Sequence, residues 1–221
     1  MPVASADFVA AVAHLPHGAC LRINDVPWEE YEQLLADLGE GYSARIYYDE
    51  GRLEIMSPDS VHEKHKGIIH RLIGAVSDEL DLDIESFGST TFKAERKGAE
   101  PDECFYVQNA SSVIGRHGDL DLNCDPPPDI VVEVDRTSTS LDKFPIYAAL
   151  GVPEIWRITG GGVEIHRLSE HHYIQSNESR AFPVLTAEAL SRFLALGLAE
   201  GERKAAQALR AWLRGIRKRE S

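Results

Sequence analysis

The alternation of apolar and polar residues between positions 126 and 156 predicts a strand, a helix and a second strand. Three prolines, which cannot continue a helix, precede the β-branched run 130–134, and such a run is typical of a buried strand. Apolar residues at helical spacing follow at 144–150, and a glycine and a proline separate them from a second apolar stretch, 154–158. This order predicts that both strands lie in one sheet with the helix packed across it.

Acidic residues interrupt the first of these strands. Because side chains alternate along a strand, Asp129, Glu133 and Asp135 share one face, with Glu133 and Asp135 roughly 7 Å apart and Asp129 about 13 Å from Glu133. A buried carboxylate is costly unless it is paired, hydrogen-bonded or bound to a metal. Lys143 can return its ammonium to this edge from the start of the helix. The stretch by itself supports two interpretations equally: a divalent-cation site that stabilises phosphate charge, or a salt bridge that fastens the helix to the sheet.

Periodicity also predicts the other elements of the chain. We expect helices at 4–15, 28–38, 60–80, 186–196 and 200–219, and strands at 44–48, 52–56, 83–87, 90–94, 104–107, 163–168 and 173–176. Segment 95–98 is predicted to be a charged turn, and the polar segment 108–125 a surface excursion. With no repeat or clear linker, the chain is expected to be one domain over 1–221.

Composition restricts the protein class. Hydrophobic residues make up 43% and charged residues 27% of the 221 positions, as in a soluble globular protein. Because no run of 18 apolar residues and no signal-peptide pattern occurs, we expect a cytoplasmic protein without a membrane segment. The three cysteines, Cys20, Cys104 and Cys124, form no CxxC pair and predict neither a disulfide framework nor a zinc site.

The net charge of −13 argues against the broad basic surface that most nucleic-acid-binding proteins carry. Any affinity for DNA should therefore be weak and strongly dependent on salt.

Two further acids lie near the ends of predicted elements. Asp102 follows Pro101 at the entrance of the strand 104–107, and Glu63 lies in the first turn of the helix 60–80. Glu63 could point into a shared site, but most glutamates at this position only complement the helix dipole.

Several spaced motifs together resemble the Uma-two family, a former domain of unknown function assigned to restriction endonucleases. The resemblance covers about 31–183 and rests on GRLEIMSP, HE, EPDECFYV, PPPDIVVEVDRTSTSLDK and YAALGVPEIW. It implies an α/β fold with a restriction-endonuclease-like core of the PD-(D/E)xK superfamily: a helix, a mixed central sheet and a crossover helix. Extra helices would extend this core at both ends.

The resemblance also implies a catalytic set that binds Mg²⁺ or Mn²⁺ and activates water for phosphodiester cleavage. Asp102 matches the aspartate of the superfamily motif, Glu133 the acid of its acid-x-lysine pair, and Glu63 the acid on the core helix. Asp135 stands where that motif has its lysine, and Lys143 is the candidate for a migrated equivalent. The implied metal ligands are therefore Asp102 and Glu133, with Asp135 either a third ligand or a partner for Arg136.

Three hypotheses follow from these residues. The first is a metal-dependent DNA endonuclease, which the retention of acids on a buried strand favours. The second is a nuclease-fold protein that no longer cleaves and acts as a binding or regulatory module, which could be a homodimer; the acidic charge favours it. The third is a metal-dependent hydrolase of small phosphate esters. Fold alone does not separate them.

Overall fold

The structure is a computed structural model that describes residues 5–39, 41–94, 96–116, 120–135 and 142–220. The described residues form six α-helices: α1 Ser5–His14, α2 Trp28–Leu38, α3 Ser60–Leu80, α4 Phe144–Ala149, α5 Ala187–Glu200 and α6 Glu202–Glu220. They form eleven strands: β1 Cys20–Ile23, β2 Arg45–Asp49, β3 Arg52–Met56, β4 Glu85–Ser86, β5 Phe92–Ala94, β6 Lys97–Ala99, β7 Glu103–Tyr106, β8 Ile130–Val134, β9 Glu154–Thr159, β10 Gly162–Ser169 and β11 His172–Ser176.

The strands divide into two sheets, a division that the sequence did not predict. The first sheet is antiparallel, in the order β1-β3-β2-β6-β5. The second has the order β11-β10-β9-β8-β7-β4 and is mixed, because β8 and β9 are parallel while its other pairs are antiparallel. The predicted strand–helix–strand unit is confirmed as β8, α4 and β9, with Val131 opposite Ile155.

Two predictions for irregular segments were only partly right. The segment predicted as a charged turn contributes to β6, because Gly98 pairs with Tyr48 and extends the first sheet. The segment 108–125 is not simply a surface excursion. Ala110, Val113 and Leu120 are buried in the core beside β7 and β8, so its few apolar residues anchor the segment to the protein.

Helix α3 supplies the apolar cover for one face of the second sheet. Asp59 caps its first turn by accepting hydrogen bonds from the main-chain nitrogens of Val61 and His62. Its buried residues, Ile68, Ile69, Leu72, Ile73, Ala75 and Val76, share one cluster with Ile130, Val132 and Val134 of β8. The alternating positions of β8, including Glu133, therefore face the other side of the sheet.

Strand β2 of the first sheet lies between two apolar clusters, one packed against α2 and one packed against the face of the second sheet that carries Glu133. Ile46 and Tyr48 pack with Tyr31 of α2, and the rings of Tyr31 and Tyr48 stack with centroids 4.8 Å apart. Tyr47 points the opposite way and packs with residues of β7, β8 and α4. The first sheet thus presents Tyr47 to the face of the second sheet that carries Glu133.

The composition drew attention to the cysteines and to the apolar character of the helices. Cys20, Cys104 and Cys124 are all free thiols. In the ranges that the structure describes, no helix combines the length and the apolar character that crossing a membrane requires.

Glu100 joins β2 to the segment that leads into β7. Its buried carboxylate accepts hydrogen bonds from the main-chain nitrogen of Ile46 at 2.9 Å, from Thr91 Oγ1 at 2.7 Å and from the hydroxyl of Tyr42. Burial raises the pKa of Glu100 to about 7, although these hydrogen bonds oppose the shift. The bonds fix the chain two residues before Asp102.

This raised pKa predicts how stability depends on pH. A carboxyl whose pKa is higher in the folded protein binds its proton more tightly there, so the free energy of unfolding falls as pH rises from about 4.5 through about 7. Glu100→Gln should remove about 1 kcal/mol of the decrease between about pH 6 and pH 8. Its amide can still accept from Ile46 and donate to the two hydroxyl oxygens. Urea unfolding at both pH values measures the effect, with the exposed Glu32→Gln as control. An unchanged pH difference in Glu100→Gln would contradict this prediction.

Candidate active site

Three distant segments bring Asp102, Glu133 and Lys143 together beside β8. The ammonium of Lys143 lies 2.6 Å from Glu133 Oε2. Asp102 Oδ2 accepts a hydrogen bond of 2.7 Å from the main-chain nitrogen of Val134, the residue that follows Glu133. Lys143 is the residue immediately before α4. Because β8 and β9 are parallel, the crossover through α4 starts at the carboxyl end of β8, and Lys143 lies at that end.

Glu133 is enclosed by polar groups. Only 3% of the residue is exposed, and besides Lys143 its carboxylate accepts hydrogen bonds from two tyrosine hydroxyls. Tyr147 of α4 donates to Oε1, and Tyr47 of β2 lies 3.3 and 3.2 Å from the two oxygens. Neither tyrosine was predicted from the sequence. For Tyr147 a signal existed, because it follows Lys143 by four residues and so lies on the same face of a helix.

The charges of Glu133 and Lys143 depend on each other. Burial raises the pKa of Glu133 to about 6; the ammonium of Lys143 opposes this, and the charge of Asp102 adds to it. Burial lowers the pKa of Lys143, but Glu133 and Asp102 outweigh burial, so its pKa lies above the ordinary value. Near neutral pH the two side chains therefore form a buried ion pair.

Lys143 also contacts the first sheet. Its Nζ lies 3.9 Å from the ring centroid of Tyr47, within range of a cation–π interaction. Tyr47 stands opposite Glu54 in the β2–β3 register, and the charge of Glu54 also favours the ammonium of Lys143. Glu54 is 1% exposed and pairs with Arg22 at 2.9 Å. Glu54 was not predicted from the sequence, although an acid in the apolar run LEIM is the same signal that identified Glu133.

Arg45 connects Asp102 with Glu63. Arg45 Nε lies 3.8 Å from Asp102 Oδ1, and Nη2 lies 3.6 Å from Glu63 Oε1. Both distances exceed those of good hydrogen bonds, and Nε is buried without a hydrogen-bond partner in the part of the chain that the structure describes. Asp102 is 2% exposed, whereas the side chain of Glu63 is 54% exposed. Glu63 thus approaches the site from the surface, through an arginine that was not predicted from the sequence.

The other acids of the β8 segment have separate partners. The carboxylate of Asp135 contacts Arg157 of β9 at 3.0 and 2.5 Å, while Arg136 lies outside the described residues. Asp129 accepts hydrogen bonds from the main-chain nitrogens of Val107 and Asn109 and so fixes the end of β7.

The donor set suits an oxygen-preferring cation in part. Asp102 and Glu133 are carboxylates, the ligand type that Mg²⁺ and Mn²⁺ take, and Asp102 Oδ1 lies beyond hydrogen-bonding distance of Arg45 Nε. Glu133 is already bonded by Lys143 and two tyrosines. Across the described ranges, no group of three or more acids, histidines or cysteines is arranged to hold a metal ion. A cation would fit at Asp102 and would have to compete with Lys143 at Glu133.

Comparisons with known proteins agree with this architecture. The chain is similar to a crystal structure of a nuclease, titled "putative", that belongs to DUF820 from Anabaena variabilis ATCC 29413, with a TM-score of 0.51 and 18% sequence identity. The match covers 78% of this chain and 99% of that one, and the predicted restriction-endonuclease-like α/β fold class is confirmed. A comparison with curated proteins finds no match.

A family model described as "Uma2: Putative restriction endonuclease" matches residues 28–198. This range contains all the elements from α2 to β11 and therefore the whole candidate site. The chain belongs to the Uma2 family, the family that this model describes.

Proposed function

We propose that the protein is an endonuclease that hydrolyses DNA phosphodiester bonds with the help of Mg²⁺ or Mn²⁺. The observation that carries this proposal is the buried contact between the Lys143 ammonium and the Glu133 carboxylate beside Asp102. Membership of the Uma2 family supports a nuclease. The metal and the DNA substrate are inferred from the chemistry of these side chains.

Asp102 and Glu133 would hold the metal ion, with the main-chain carbonyl of Val134 as a further oxygen ligand. Bound there, the ion would acidify a water molecule and offset charge on the phosphate. Asp102 is suited to this role because the nitrogen of Val134 fixes one of its oxygens and leaves the other directed towards Arg45. Glu133 would exchange part of its contact with Lys143 for the metal.

Lys143 acts in this proposal as a cation and not as a base. Its pKa lies above the ordinary value because Glu133 and Asp102 are close, so it stays protonated near neutral pH. The ammonium can donate a hydrogen bond to a phosphate oxygen or orient the attacking water. Tyr47 and Tyr147, whose pKa values burial raises well above the ordinary value, remain protonated and orient Glu133.

Glu63 and Arg45 form the outer part of the proposed site. The exposed carboxylate of Glu63 would hold a metal-bound water, as the resemblance implies, while the guanidinium of Arg45 lies between Glu63 and Asp102. An arginine at this position can bind a phosphate oxygen. We infer that the phosphodiester enters from the side of Glu63.

The proposal predicts metal-dependent nicking of supercoiled DNA. Glu133→Gln should reduce nicking by at least about a hundredfold, because it removes a metal ligand, and Lys143→Ala should do the same, because it removes the cation at the phosphate. Gel electrophoresis with Mg²⁺ or Mn²⁺ measures the products. The exposed Lys93→Ala, which removes a lysine paired only with Glu32 among the described residues, should keep the parent activity.

Two outcomes would contradict the endonuclease. Equal residual nicking by the parent and by both site variants would show that a contaminating nuclease is responsible. Failure of Mg²⁺ and Mn²⁺ to bind at millimolar concentration in calorimetry would remove the metal from the mechanism.

A catalytically inactive binding or regulatory module is the second candidate function. One observation in its favour is that the Glu133 carboxylate already accepts hydrogen bonds from Lys143, Tyr147 and Tyr47. The other is the net charge of −13. In such a module the Glu133–Lys143 pair would only fasten α4 to β8. The function of such a module would depend on what it binds, for example a second copy of the chain in a homodimer, and not on catalysis.

A double-mutant cycle measures the strength of this ion pair, and the same unfolding experiment with Mg²⁺ distinguishes its two roles. Glu133→Gln and Lys143→Met should each lower the free energy of unfolding by about 3 kcal/mol, since each leaves a buried partner uncompensated. The double variant should lose about 2 kcal/mol less than their sum. For the endonuclease, about 10 mM Mg²⁺ stabilises the parent but not Glu133→Gln. Equal stability of the parent with and without the ion favours the inactive module. Urea unfolding measures all four proteins.

Arg157 contacts Oδ2 of Asp135 through two nitrogens, so this carboxylate already has a partner outside the proposed pair of metal ligands. We therefore expect Asp135→Asn to lower the free energy of unfolding by about 1 kcal/mol or less, because the pair with Arg157 is partly exposed. The affinity for Mn²⁺ in calorimetry should stay within about twofold. A loss of about tenfold or more would place Asp135 among the ligands.

A further inference from the structure

Helices α3 and α6 lie side by side and run in the same direction. Near the start of α6, Glu202 Oε1 lies 3.5 Å from the position that a Cβ atom would take at Gly67. Further along both helices, Arg210 contacts Asp78. The two helices are far apart in the sequence, but they therefore share one exposed surface.

Exposed cations follow this surface at helical spacing. In α6, Arg203, Arg214 and Lys218 lie on one face, because they are separated by about three turns and one turn, and the opposite face is buried. In α3, Lys64 and Arg71 are two turns apart on the side of the helix that faces α6. We call these five residues the basic surface. Arg214 pairs with Glu79, whereas the other four form no ion pair with any residue that the structure describes.

The charge of α6 is opposite to that of the chain. Its 19 residues include seven lysines and arginines and two glutamates, so the helix carries a net charge of +5. Because the whole chain carries −13, the other 202 positions carry −18. The helix dipole favours cations only in the last turn, yet Arg203 and Lys204 lie in the first turn of α6. The dipole therefore does not account for this concentration of positive charge, which suits an anionic partner.

The basic surface begins beside the candidate active site. Glu63, the exposed acid of that site, precedes Gly67 by about one helical turn, and Lys64 follows Glu63 directly. From there α6 continues for about 28 Å, which is the length of roughly eight base pairs of a straight DNA duplex. A duplex whose scissile phosphate lies at Glu63 can therefore run along the basic surface.

The apolar residues of α6 distinguish between two kinds of anionic partner. A helix that binds a membrane inserts large apolar side chains into the lipid beside its cations. In α6, Leu209 and Leu213 are buried, and Trp212 packs against Phe193. Along the described part of this helix no large apolar side chain is exposed. Cations without such side chains are suited to the phosphates of a nucleic acid.

We propose that the basic surface of α3 and α6 binds the phosphate backbone of duplex DNA on one side of the cleavage position. This inference rests on the DNA substrate of the proposed function, but binding at the basic surface requires neither a metal ion nor Glu133. Contacts with phosphates carry no sequence information, so this binding is insensitive to base sequence and weakens steeply with salt. The negative charge of the other positions confines the duplex to this surface.

Fluorescence anisotropy of the full chain with a labelled duplex of about 20 base pairs, without divalent metal, tests this proposal. Arg203→Gln/Lys218→Gln should weaken binding at least about fivefold at about 50 mM salt. It should also lower the slope of log affinity against log salt concentration by about two, because two phosphate contacts are lost. The control Lys93→Gln/Arg96→Gln removes the same charge from exposed positions of the β5–β6 hairpin and should bind within about twofold of the parent.

Three results would overturn the assignment of this surface. They are an equal loss of affinity in the two double variants, no binding by the parent at about 100 μM protein in low salt, and tighter binding to anionic lipid vesicles than to the duplex. Urea unfolding checks that each double variant is folded. Glu133→Gln should bind the duplex as the parent does whether or not the parent cleaves DNA, so failure of the endonuclease proposal is distinguishable from failure of this one.

Discussion

The buried carboxylate of Glu133 is the point at which three parts of the molecule meet. It lies on β8 of the second sheet and receives hydrogen bonds from Tyr47 of the first sheet and from Tyr147 and Lys143 of the crossover segment. A charge with 3% exposure is tolerable only when its lone pairs are occupied and a cation is close. The packing of the two sheets and the position of α4 are therefore both tied to this one group.

Charge balance around Glu133 links stability to function. Lys143 and Arg45 lie within the site and partly neutralise Asp102, Glu133 and Glu63, although the chain as a whole carries a net charge of −13. The same cations that make the buried acids tolerable are the groups that can meet a phosphate. A nuclease needs them to yield to metal and substrate, whereas a binding module keeps the pairs closed. The two candidate functions thus differ in whether these ion pairs can open, and not in which residues form the site.

Much of the fold could be predicted because local patterns agree with the tertiary packing. Each of three elements can be recognised from its own residues alone: β8 from its β-branched run, and α4 and α3 from apolar residues at helical spacing. Strands β1 and β6 could not be predicted, since Cys20–Ile23 is half exposed and Lys97–Ala99 contains a glycine; each is a strand because a neighbouring strand pairs with it. The division into two sheets likewise depends on contacts between distant segments.

The sequence by itself determined which acids stand out, because Glu133 interrupts an apolar strand and Asp102 lies at the entrance of another, where a charge requires a partner. It also identified Lys143 at the start of the crossover helix. Only the tertiary structure decided the partners. Tyr47 is 86 residues from Glu133 in the chain, and Arg45 reaches Asp102 from the other sheet. The period of a strand or helix fixes the face on which a side chain lies, but the group opposite that face is set by how the two sheets pack.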